Sequence, residues 1–189
     1  AASNAASSFG YDLIISVPEG EERIAERRLL QTGRADGLII IGQAGRNDRL
    51  NQLGALSERV VVWGGRISDA NYTVVGSDNV RGGELAVEHL FERGRKRVLF
   101  VGQTDLPEVA LRYEGLLKAH KAKGISHDET LILEENFGGQ HTFNAVMEML
   151  NNRVEFDAVF AASDVLAMAA IHALQAFGKS VPGDVSVVG

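Results

Sequence analysis

The sequence predicts a doubly wound parallel α/β fold, and two observations carry that expectation. Short apolar runs alternate with stretches of helical period along the whole chain. The runs are continuous in Val, Ile, Leu and Ala rather than alternating with polar residues, the pattern of strands covered on both faces of a parallel sheet.

The elements follow in order. Residues 1–10, AASNAASSFG, are small and polar and read as the tail of a helix or as a segment foreign to the fold. Tyr11 to Val17 reads as a buried strand. Glu21 to Gly33 reads as a charged amphipathic helix carrying Ile24, Leu29 and Leu30, with Gly33 just past its end. Gly37 to Ile41 is a second strand. Asn47 or Asp48 is placed to cap a short helix bearing Leu50, Leu53 and Leu56. Arg59 to Trp63 is a third strand, closed by the turn Gly64-Gly65. Tyr72 to Val75 is a fourth, and a helix from Val80 to Arg93 follows Gly76-Ser77-Asp78-Asn79.

Arg97 to Val101 is the fifth strand. A polar loop, Gly102 to Pro107, leads into a helix from Glu108 to Lys123. Glu129 to Leu133 is a short strand, followed by a loop with Asn136-Phe137-Gly138-Gly139 and a helix from Gln140 to Asn151. Ala158 to Ala162, the helix after Ser163-Asp164 and the run Val185 to Val188 complete one strand–helix–strand unit. Polar residues at the carboxyl ends of such strands are where parallel sheets bind ligands.

Composition bounds the function. The chain has 189 residues, 45% hydrophobic and 23% charged, as in ordinary globular proteins. A formal net charge of −6 argues against these residues gripping nucleic acid phosphates themselves. The absence of cysteine excludes disulfides and thiolate chemistry. No apolar run approaches membrane-spanning length, and no signal peptide is visible. Neither a nucleophile elbow, a zincin helix nor a phosphate-cradling loop occurs, so no enzyme is expected. His89, His120, His127, His141 and His172 lack metal-ligand spacing, so no metal or cofactor is expected either.

What remains is a set of polar and aromatic side chains near strand ends. Ser163 and Asp164 can cap their helix or meet a ligand hydroxyl. Asp78-Asn79 reads first as a cap. Arg112 lies near the start of its helix, electrostatically a poor place for a cation, so acceptors from elsewhere must offset it: a nearby Glu or a ligand. Phe137, in its loop, suits stacking on a sugar ring or burial under its own loop. Trp63 ends its strand either in the core or on a ligand-facing rim.

Three segments then carry a family likeness: Ser77 to Gln103 (SDNVRGGELAVEHLFERGRKRVLFVGQ), Leu111 to Ala119 (LRYEGLLKA) and Phe160 to Gly189, which closes on VPGDVSVVG. Together they resemble the effector-binding core of LacI/GalR-type bacterial transcriptional regulators. The resemblance implies a two-lobed, periplasmic-binding-protein-like fold, each lobe a doubly wound parallel sheet. It implies lobes at 1–102 and 103–189, both partial, with the crossing just after the RVLFVG strand. It implies a small-molecule effector, a sugar or sugar phosphate, in the interlobe cleft near Arg112, Phe137, Ser163, Asp164 and Trp63. Ser163 stands where the family often has Asn. It also implies a cytoplasmic homodimer and operator DNA bound by a helix-turn-helix upstream of these residues. An exported sugar-binding protein of a transport system shares the fold and is the alternative.

Overall fold

The computed structural model describes residues 2–16, 25–43, 47–135 and 138–189. Two parallel sheets organise them. The first contains β1 (Leu38–Ile41), β2 (Val60–Trp63) and β3 (Thr73–Val75) in that spatial order. Its register sets Ile41 beside Trp63 and Trp63 beside Val75. The second contains β4 (Val98–Val101), β5 (Ile132–Leu133), β6 (Ala158–Ala161) and β7 (Ser186–Val188), in the order β5-β4-β6-β7. The described helices are α1 (Ala2–Ser8), α2 (Ala25–Gln31), α3 (Asn47–Leu56), α4 (Asn79–Glu92), α5 (Pro107–Lys123), α6 (Gly139–Asn151) and α7 (Asp164–Ala176).

The second sheet is the better covered of the two. Every residue of β4 and β6 is buried, so both faces are packed, as their unbroken apolar runs require. Phe100 and Leu99 are fully buried among residues of α4, α5, α6 and α7. In the first sheet, Leu38, Ile40, Val60, Val62 and Val74 pack under Leu50 and Leu53 of α3 and Leu30 of α2. The opposite face carries Ile39, Ile41, Trp63 and Val75, which stay exposed among the described residues.

Two expectations are corrected. Tyr11–Val17 is not a buried strand over its described part: residues 11–16 join neither sheet, and Ile15 is 81% exposed. An apolar run becomes a strand only when a neighbour takes its N–H and C=O groups, and among the described residues β1 pairs only with β2.

The chain also crosses between sheets earlier than Gly102. The strand Val98–Val101 lies in the second sheet, between β5 and β6. Val87 and Leu90 of α4 belong to the second core as well. The crossing is therefore at residues 76–78. Pro107, at the end of the polar loop after β4, starts α5, where its missing N–H leaves no helical hydrogen bond unmade.

Close contacts between backbones fix α4 against α5. A Cβ added to Gly83 would collide with the carbonyl of Arg112, and one on Gly115 with the carbonyl of Val80. This explains the glycine three residues after Arg112: no other residue lets the two helices approach so closely.

A second network closes the amino edge of the second sheet. Arg95 donates to Ser186 Oγ at 3.0 Å and to the carbonyls of Pro182, Gly183 and Asp184. The Asp157 carboxylate accepts the N–H groups of Lys96 and Arg97. The basic run after α4 and the turn before β7 thus recognise each other.

Candidate functional site

The carboxyl ends of both sheets meet at a cavity of about 280 Å³. Its first wall is built by the ends of β1 and β2: Ile41, Gly42, Gln43, Trp63 and Gly64. The second is built by the starts of α4 and α5, with Asn79, Leu106, Glu108, Val109 and Arg112, and the crossing residues Gly76 and Ser77 join the two. The volume lies near the lower end of the roughly 300–1,000 Å³ typical of small-molecule sites.

Among the described residues Arg112 is the cation of this cavity. Its Nε donates to Asn79 Oδ1 at 2.9 Å, and one Nη donates to the carbonyl of Ala162 at the end of β6. Both partners are neutral, and no carboxylate pairs with the guanidinium among the described residues. The acceptors that a cation needs near a helix start are thus supplied by α4 and β6. Three of its five N–H donors have no partner among the described residues.

Asn79 and Asp78 divide two tasks. Asp78 caps α4 by accepting the N–H of Arg81 at 2.9 Å. Asn79, 6% exposed, holds Arg112. The sequence suggested a cap for the pair and missed the second role. Its signal was the amide one residue past the cap, where the first turn faces the next helix.

Trp63 is exposed at the end of β2 and lines the cavity, which sets it on the rim rather than in the core. Gln43, 1% exposed, was also missed. Its amide donates to Tyr72 Oη at 3.0 Å, while its Oε1 has no donor among the described residues. Burial holds the Tyr72 phenol above its ordinary pKa, so it stays a neutral hydroxyl. Glu108 was missed too, because one carboxylate in a first helical turn is unremarkable by itself.

The remaining expected residues sit differently. The Ser163 hydroxyl accepts the N–H of Leu166 at 3.4 Å and so caps α7. Asp164 is exposed beside Gly189. Neither is part of the cavity wall, although the Ala162 carbonyl just before them is bound by Arg112. Phe137 lies outside the described residues. A shallower hollow of about 450 Å³ lies at Gln103, Thr104, Asp105 and Glu134. There the Glu134 carboxylate is already taken by the N–H and hydroxyl of Thr104, and no facing wall from the first sheet encloses it. Among the described residues no cluster of metal-ligating side chains occurs, and no helix is long and apolar enough to cross a membrane.

Comparison with known proteins agrees with this architecture. Residues 1–189 match the family described as periplasmic binding proteins and sugar binding domain of LacI family. The transcriptional regulator CelR of Thermobifida fusca is 34% identical over 98% of this chain and 56% of its own length. The HTH-type transcriptional repressor PurR of Proteus mirabilis is 32% identical over 100% of this chain and 57% of its own. The chain thus spans about half the length of these curated relatives. A solved complex of a regulator CelR with cellobiose superposes with a TM-score of 0.83 at 30% identity, covering 98% of this chain and 58% of that one.

Proposed function

The chain belongs to the family of periplasmic binding proteins and LacI-type sugar-binding domains, and on that premise we propose that it is the effector-sensing part of a bacterial transcription regulator. A small molecule of sugar type binds between the two sheets. The observation that carries this reading is the cavity itself: Trp63 stands on one wall and Arg112, with unused donors, on the other.

The two walls hang on different sheets joined at residues 76–78. A ligand touching both walls binds one arrangement of the lobes better than another, and shifts the population toward it by that difference. In the full-length regulator this shift changes the geometry of DNA-binding heads carried by a homodimer. Operator contact belongs to a helix-turn-helix outside these residues, in keeping with their acidic balance. The lobes divide at residues 76–78, and Ser163 and Asp164 directly follow the Ala162 carbonyl that Arg112 binds. The protein acts in the cytoplasm by binding, without catalysis. An exported sugar carrier has the same fold, but the relatives matched are transcription regulators.

A thermal-shift screen of neutral and phosphorylated sugars tests the reading. A ligand at about 100 times its Kd stabilises the native state by about 2.7 kcal/mol and raises Tm accordingly. A sugar that raises Tm in a saturable way supports it. The absence of any shift across hexoses, pentoses, disaccharides and their phosphates contradicts it.

A further inference from the structure

Resting on that reading, we infer that the ligand of this cleft carries no net charge: a neutral polyhydroxylated molecule, with sugar phosphates excluded. Charge and hydrogen-bond sense at the cavity wall favour such a ligand. Among the described residues one acidic and one basic side chain line it, Glu108 and Arg112, and their formal charges cancel.

Glu108 is the second residue of α5, where the helix N-terminus favours a carboxylate. It leans toward the first lobe: a Cβ on Gly65 would lie 3.4 Å from Glu108 Cγ. No hydrogen-bond donor reaches its carboxylate among the described residues, so it presents acceptor oxygens to whatever enters. Arg112 presents the complementary donors, since its two bonds are to neutral acceptors and leave three N–H groups for a ligand.

A hydroxyl suits both groups, because it donates to Glu108 and accepts from Arg112. A phosphate only accepts. It would gain from Arg112 but meet the Glu108 carboxylate one helical turn away, with no second cation among the described residues of the wall to offset that repulsion. The net charge of −6 opposes an anion at longer range. Ser77 and the Trp63 ring add a hydroxyl and an apolar face, both compatible with a neutral sugar ring.

Isothermal titration at fixed ionic strength tests the inference on this chain. The probes are cellobiose, a panel of neutral hexoses and the 6-phosphates of those hexoses. The expected result is saturable binding of at least one neutral sugar, with hexose 6-phosphates at least tenfold weaker than their parents. In Glu108→Gln, neutral-sugar affinity falls about tenfold, the size expected for losing one charge-assisted hydrogen bond. The gap between each hexose and its phosphate narrows in the same variant. A phosphate that binds the unaltered chain as tightly as its neutral parent overturns the inference while leaving the cleft reading intact. Failure of every probe to bind overturns both. The comparison on the unaltered chain stands even if Glu108→Gln folds poorly.

Discussion

The guanidinium of Arg112 donates to Oδ1 of Asn79 at 2.9 Å, joining the second turn of α5 to the first residue of α4. The same side chain reaches the carbonyl of Ala162, so it ties three elements at the carboxyl edge of the second sheet. An arginine that only contacted ligand could be removed without loss of stability. This one cannot. Arg112→Ala leaves the buried Asn79 acceptor and the Ala162 carbonyl without their donor, at a cost of about 1–3 kcal/mol. Denaturant unfolding is expected to show that loss, and calorimetry a loss of sugar binding. Arg112→Lys keeps the charge but not the planar fork, and is expected to fall between. Wild-type stability in Arg112→Ala would show that these hydrogen bonds contribute nothing.

Gly115 and Gly82 provide a matched pair on the two packed helices. A Cβ at Gly115 meets the backbone of α4, whereas a Cβ at Gly82 meets nothing within 4 Å. Gly115→Ala is expected to destabilise by about 1–3 kcal/mol through overpacking. Gly82→Ala is expected to stabilise by about 0.5–1 kcal/mol, the usual gain from alanine in a helix interior. Denaturant midpoints moving in the same direction for both would contradict this account of the α4–α5 contact.

His120 and His127 set an acid limit on stability. Their rings lie 5.0 Å apart, His127 is hydrogen-bonded to the Tyr113 hydroxyl at 3.0 Å, and burial lowers the pKa of both below 6.5. The folded state therefore resists protonation that the unfolded chain accepts. Their contribution is complete above about pH 6.5 and declines as pH falls through that value toward the lower folded-state pKa. Urea midpoints measured from pH 7.5 to 5 are expected to fall on the acid side. Replacing both histidines by glutamine is expected to flatten that slope, and an equally steep slope in the double variant would assign it to other groups.

Arg95 makes hydrogen bonds to Ser186 and to three carbonyls of the turn before β7. Arg95→Ala is expected to cost about 1–3 kcal/mol, since hydrogen bonds from charged donors are the stronger ones. Faster amide exchange in residues 180–188 should accompany it. Exchange unchanged there would mean that the turn holds its shape alone.

The order of strands and helices was legible because period and turn residues are local signals. The continuous runs ending at Val101 and Ala161 predicted burial on both faces, and both strands have it. Sheet membership was not legible. Arg97–Val101 reads as a strand wherever it pairs, and nothing local says that β5 and β6 are its neighbours. Tyr11–Ser16 failed for the same reason, since pairing partners are non-local. In the cavity wall, Arg112 was visible as a cation out of keeping with a helix start, whereas Trp63 was left open between core and rim. Asn79, Gln43 and Glu108 were not visible, because each is ordinary in its own segment and gains meaning only from what the fold sets opposite it.

The central claim is that one ligand touches both walls of the cleft. Trp63, the single tryptophan, reports on the first wall, and Arg112 belongs to the second. The most direct measurement is Trp63 fluorescence during titration with a neutral sugar found to bind, on the unaltered chain and on Arg112→Lys. The account predicts a saturable change in the unaltered chain, shifted at least tenfold to higher sugar concentration in the variant. Binding seen by calorimetry with no change at Trp63, or an identical titration curve in Arg112→Lys, would contradict it.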